Sequence, residues 1–153
     1  VKHTFNHLLL TSTVGVSDDD YMGVRMAIRR ALEEDTTDAF LEQIKVIYSS
    51  VPAVYFQGNQ NEYFYSSVLY MYLTAAGFNV TAEKYYNKGR MDITLFWKKE
   101  RVYVIELKSD STQHALQQIR DKNYAGQFAN SKVILVGLKI DFEQRNVVEW
   151  ITE

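Results

Sequence analysis

Apolar positions recur at helical spacing twice in the first third of the chain. Ser17 and the acids at 18–20 precede Tyr21, Val24, Ile28 and Leu32, so a capped helix with acids in its first turn is predicted. Consecutive aspartates on a helix point in different directions, which favours capping over a metal cluster. A second stripe, Phe40, Leu41, Ile44, Ile47 and Tyr48, opens at Thr36 or Thr37 and ends before Pro52. The two stripes predict an amphipathic helical pair. Asn61 then caps a third helix whose stripe is Tyr65, Leu69, Leu73 and Ala76, with Gly77 as its stop. Glu62 falls on the N-terminal edge of that buried stripe, either as a first-turn carboxylate facing the helix dipole or as a working acid.

From Phe78 the period drops to two. Phe78, Val80 and Ala82 alternate with polar residues, a turn is predicted at 87–90, and Met91, Ile93, Leu95 and Trp97 alternate with Asp92, Thr94 and Phe96. A charged turn at 98–101 leads to a third strand, Val102 to Lys108, apolar enough to be central. A helix over 113–129 follows, then a buried strand at Lys132–Leu138 and a short last strand at Asn146–Ile151. Helix, three-strand meander, helix and strand thus follow the helical pair.

The anomaly is the end of the third strand, Glu106-Leu107-Lys108. Alternation puts Glu106 and Lys108 on one face, and ionisable groups at the end of a central strand are costly unless paired or used. Asp92, on the neighbouring strand, pairs close to Glu106 if the turn is centred near residue 99. Two carboxylates and the Leu107 carbonyl are oxygen ligands suited to a hard divalent cation, with Lys108 beside a phosphate, which fits phosphodiester hydrolysis. An intrasheet Lys108–Glu106 salt bridge beside an unrelated turn acid has the same spacing, and spacing alone leaves both readings open.

Composition narrows the class. The chain has 153 residues, no cysteine, one proline and a formal charge of -2. Thiolate zinc sites, iron–sulfur clusters and a cysteine nucleophile are excluded, and no global attraction to polyanions is on offer. No apolar run reaches the roughly 18 residues of a membrane helix, so no membrane role and a cytoplasmic location are expected. The first residue is Val, so a longer parent chain is expected.

Gly89-Arg90-Met91-Asp92-Ile93 followed by Val104-Ile105-Glu106-Leu107-Lys108 resembles the Asp…Glu-x-Lys signature of the PD-(D/E)XK nuclease superfamily. Asn61-Glu62-Tyr63-Phe64-Tyr65, Ala115-Leu116-x-Gln118-Ile119-x-x-Lys122-x-Tyr124 and Val136-Gly137 extend the likeness to the module found at the C-terminus of bacterial AAA-ATPase-like proteins, over about residues 38–152. The resemblance implies an α/β, restriction-endonuclease-like αβββαβ core with a central mixed sheet flanked by helices. It implies residues 1–54 as a helical connector to an upstream ATPase-like region and 55–153 as the nuclease-like domain. Asp92 and Glu106 match the metal-binding acids, with the Leu107 backbone carbonyl beside them. Lys108 matches the catalytic lysine, and Glu62 and Gln118 match supporting positions. Arg90, Lys122 and Tyr124 are the expected substrate contacts, and Mg2+ or Mn2+ the expected cofactor.

The expected partner is nucleic acid, DNA before RNA, guided by Lys84, Lys88, Arg90, Lys98, Lys99, Arg101 and Lys122. The chain lacks a Gly-x-x-x-x-Gly-Lys-Ser/Thr segment, so no ATP binding is implied. Two other readings stand beside the nuclease: a silent nuclease-fold module that binds nucleic acid or a protein, and a dimerisation domain built on the helical pair.

Overall fold

The computed structural model describes residues 18–85, 90–122, 128 and 130–153; the side chains of residues 18 and 83–92 lie outside the described set. The helical pair comprises α1 (Asp18–Glu33) and α2 (Thr37–Ser50), followed by a 3₁₀ turn at Ala53–Phe56. Then come α3 (Glu62–Ala75), β1 (Asn79–Tyr85), β2 (Arg90–Trp97), β3 (Arg101–Lys108), α4 (Thr112–Asp121), β4 (Lys132–Asp141) and β5 (Asn146–Thr152). Local chemistry accounts for the main boundaries. The Asn61 side chain accepts the Phe64 N–H at 2.9 Å and opens α3, and Gly77, at φ +84°, turns the chain out of it. The Ser111 side chain caps α4 in the same way through the His114 N–H.

The strands form one mixed sheet in the order β1-β2-β3-β4-β5. Pairing is antiparallel except between β3 and β4, which run parallel and are joined through α4. This is the predicted αβββαβ arrangement, restriction-endonuclease-like, with β5 added on the outer edge of β4. Ile93 pairs with Ile105, so the β2–β3 register is centred on residue 99 as expected.

Two apolar layers sandwich the sheet. Ile93, Leu95, Tyr103, Ile105 and Leu107 share one core with α1, α2 and α3, while Val102 and Val104 pack with Leu116 and Ile119 of α4 on the other face. Thr94, on the α4 side of the sheet by alternation, is buried as well.

Two elements differ in extent from the periodicity. The helix expected over 113–129 ends as α4 at Asp121, because the Lys122 N–H closes onto Ile119 and Arg120 carbonyls in a tightened last turn. The strand expected to stop at Leu138 runs on to Asp141, since β5 pairs with it across a register shift at Lys139/Ile140. The turn expected at 87–90 lies outside the described residues except for Arg90, which begins β2.

Candidate active site

β3 is buried along its whole length, yet it ends in two charges. Glu106 is 3% and Lys108 5% exposed, and both project toward the α4 side of the sheet, as Val102 and Val104 do. Burial of this degree is tolerated only with compensation. Lys108 Nζ lies 3.3 Å from Glu106 Oε1 and donates to Glu62 Oε2 at 3.1 Å. Glu106 Oε1 also accepts from Gln118 Nε2 on α4, a side chain 7% exposed.

Glu62 arrives from the N-terminus of α3. Its second oxygen, Oε1, accepts the Ser109 backbone N–H at 2.8 Å and the Ser109 hydroxyl at 3.0 Å. One carboxylate thus binds both the ammonium of β3 and the first residue beyond the strand. The ends of α3, β3 and the middle of α4 converge on one point, and Glu62, Glu106, Lys108 and Gln118 meet there.

Ser109 is the participant that sequence reasoning missed. Its only signal is a hydroxyl directly after Lys108 where the strand must stop. The following loop is also ordered by side chains. Asp110 accepts the Ser111 N–H at 2.6 Å and, through its other oxygen, the His114 Nδ1–H at 2.6 Å. Those bonds, the His114 one first, hold the Asp110 carboxyl below its ordinary pKa against the opposing effect of burial.

Lys122 sits at the C-cap of α4, one turn beyond Gln118. Tyr124 lies outside the described residues, and so do the side chains of Arg90 and Asp92. The backbone of Asp92 pairs with Glu83 of β1, and its neighbour Ile93 faces Ile105, which precedes Glu106. Asp92 therefore occupies the register position beside Glu106. The Leu107 side chain turns into the opposite core, while its backbone stays in the β3–β4 ladder at the level of Leu138.

Arg101 requires a correction. It was expected in a charged turn, guiding phosphate; it opens β3 instead and is 7% exposed. Its guanidinium bonds to the Asp35 carboxylate, the Leu32 carbonyl and the Tyr103 hydroxyl. Tying the α1–α2 turn to the sheet uses its donors and removes it from any nucleic-acid surface.

The donor chemistry fits a hard divalent cation. Two carboxylates meet at the strand end, and beside them the buried Oε1 of Gln118 has no hydrogen-bond partner among the described residues. Among the described residues no group of three acids or histidines forms a metal cage, and the Asp92 side chain lies outside those residues.

The profile of the PD-(D/E)XK nuclease superfamily matches residues 60–150, from the turn before α3 to the middle of β5, and so spans every residue of this constellation. An uncharacterized protein from the vnfD 5′ region of Azotobacter chroococcum mcd 1 is 30% identical over 114 residues. That alignment covers 69% of this chain and 22% of the relative, so the chain spans about a fifth of the relative's length. No solved structure matches the chain significantly.

Proposed function

Because this chain belongs to the PD-(D/E)XK nuclease superfamily, we propose that it hydrolyses phosphodiester bonds of DNA with Mg2+ or Mn2+. The observation that carries the reading is a lysine buried between two glutamates at the end of a central strand, inside the matched region. Asp92, Glu106 and the Leu107 carbonyl would hold the cation, which supplies positive charge to the scissile phosphate.

The chain's own groups do the rest. Lys108 has three donors; two face carboxylates, and the third is left to hold a phosphate oxygen and to neutralise charge that builds there. Glu62 keeps the ammonium in place and clamps Ser109, so the strand end cannot drift from α3. Gln118 fixes the Glu106 carboxylate by donating to Oε1. Arg90, Lys122 and Tyr124 serve as substrate contacts around this centre. The wider setting, a C-terminal module of a longer ATPase-like protein, rests on the motif likeness.

The test is cleavage of single- and double-stranded DNA by the purified chain with either metal, beside Lys108→Ala and Asp92→Ala. Cutting that both folded variants lose is the expected result. Metal uptake without cutting by the parent, or cutting that survives in folded variants, overturns the assignment. The first of these outcomes turns the reading to a silent nucleic-acid-binding module.

A further inference from the structure

β4 carries a second lysine at the level of Lys108. Lys139 pairs in register with Lys108 across the parallel β3–β4 ladder, one strand spacing of about 4.8 Å away. Its neighbours settle the face from which it projects. Ile134, Val136, Leu138 and Ile140 of β4 enter the core shared with α1, α2 and α3, whereas Val133 and Leu135 pack on the α4 side. Gly137 continues the second set, since a Cβ there would meet the Thr112 carbonyl of α4. Lys139 is next in that alternation, so its half-buried side chain leaves the sheet on the same side as Glu106 and Lys108.

Like charges side by side on neighbouring strands are destabilising unless they are neutralised, and the two lysines differ in this respect. Lys108 lies between Glu62 and Glu106, while Lys139 has no ion pair among the described residues. The acids placed to neutralise it are engaged elsewhere. Glu149 faces it across the β4–β5 ladder, but Oε1 of that carboxylate accepts the Thr112 hydroxyl at 3.2 Å. Asp141, two residues further on, accepts the Glu143 and Gln144 N–H groups at 2.9 and 2.8 Å. The β4–β5 register also shifts between Lys139 and Ile140, an irregularity of the kind that re-aims side chains beside active sites. A fully solvated strand-end lysine needs no partner; this one is half-buried and stands one strand from another cation.

We propose that Lys139 holds a backbone phosphate of the nucleic acid, next to the phosphate that Lys108 contacts. This contact presupposes that the strand end is a nucleic-acid site, as in the proposed function, and adds β4 to a site otherwise built from α3, β3 and α4. Phosphates of one strand follow each other at about 3.4 Å along the helix axis, a step comparable with the spacing between β3 and β4. Two of the Lys108 donors face carboxylates, whereas Lys139 keeps its three for the incoming anion. Because it meets phosphate and not a base edge, Lys139 adds affinity without sequence preference.

The test is binding of labelled DNA duplexes, followed by fluorescence anisotropy from about 50 to 200 mM salt with Ca2+ in place of Mg2+ or Mn2+. Lys139→Gln is expected to bind roughly tenfold more weakly at the low end, whatever the duplex sequence, and to flatten the slope of log K against log salt by about 0.9. Lys139→Arg should restore the parent slope. Lys132→Gln, seven residues earlier on the same strand and so about 23 Å away, should keep it. The melting temperature of Lys139→Gln should equal or exceed the parent's, because a like charge beside Lys108 is gone. An unchanged slope in Lys139→Gln, or an equal loss in Lys132→Gln, overturns the proposal and leaves the nuclease reading standing. A lowered melting temperature does the same, since it makes Lys139 a structural partner of Glu149. A parent that binds no duplex overturns both; binding with the expected slope change but without cutting keeps the contact and overturns the nuclease alone.

Discussion

Lys108 and Glu106 are buried charges that each help to compensate the other, beside Glu62 on the lysine and Gln118 on the carboxylate. With Lys108 removed, Glu106 keeps the Gln118 amide but loses the cation 3.3 Å from its Oε1. Breaking one side of a buried pair costs about 3–5 kcal/mol, whereas replacing both sides with neutral groups costs far less. Lys108→Met is therefore expected to lose about 3 kcal/mol in urea unfolding, and Lys108→Met/Glu106→Gln to recover most of it. Additive losses would show that the pair is not coupled.

A divalent cation binding the native acids should raise the parent's melting temperature, in proportion to RT ln(1 + [M]/Kd). Glu106→Gln should abolish that rise while remaining folded. Asp110 sets a separate, acid-side dependence. Its folded pKa is depressed, so its stabilisation is complete above the ordinary carboxylate range and disappears as pH falls through the depressed value. The pair with His114 is half exposed, so the difference between parent and Asp110→Asn should stay under about 1 kcal/mol at pH 7. It should vanish in acid-unfolding curves once the pH lies below the depressed value; a difference that grows toward low pH would reverse the assignment.

At the scale of elements, the site depends on how closely α4 approaches the sheet. Gly137 of β4 pairs with Glu106, and a Cβ there would meet the Thr112 carbonyl at 2.6 Å and the Ala115 Cβ at 3.2 Å. Backbone at that distance cannot yield without moving the helix. Gly137→Ala is expected to cost about 1–3 kcal/mol and to displace Gln118 from Glu106. The readouts are denaturant midpoint and, if the nuclease reading holds, a fall in kcat larger than the stability loss explains. Unchanged stability would mean that α4 is not seated as described.

Much of this scaffold was legible beforehand. Asn61, Gly77 and the two-residue alternation of β2 and β3 are local signals, and they placed α3, its stop and the hairpin register correctly. Glu106 and Lys108 stood out as charges at the end of an apolar strand, whereas the roles of Glu62 and Gln118 came through the motif likeness, because nothing local distinguishes a site acid from a helix-dipole acid. Arg101 and Ser109 escaped for a related reason. Their partners, Asp35 and Glu62, lie 66 and 47 residues away, and no period or cap reports a contact of that range.

For the whole molecule, the question is whether the helical pair is a connector or part of the core. Phe40 packs edge-on to Tyr103 of β3 at 5.5 Å between centroids, and the Tyr48 hydroxyl donates to the Tyr65 carbonyl of α3 at 2.8 Å. Arg101 joins the α1–α2 turn to the start of β3. Phe40, Leu41, Ile44, Ile47 and Tyr48 are all fully buried in the core they share with the sheet. Each is worth about 1.5–3 kcal/mol of burial, so together they contribute on the order of 10 kcal/mol. A typical domain holds only about 5–15 kcal/mol in total. A chain reduced to residues 55–153 is therefore expected not to fold cooperatively, despite carrying the whole matched region. Circular dichroism through a thermal melt and the dispersion of amide signals would decide it. A sharp transition with dispersed signals would mean that the sheet is stable without α1 and α2, and that the pair serves only to connect.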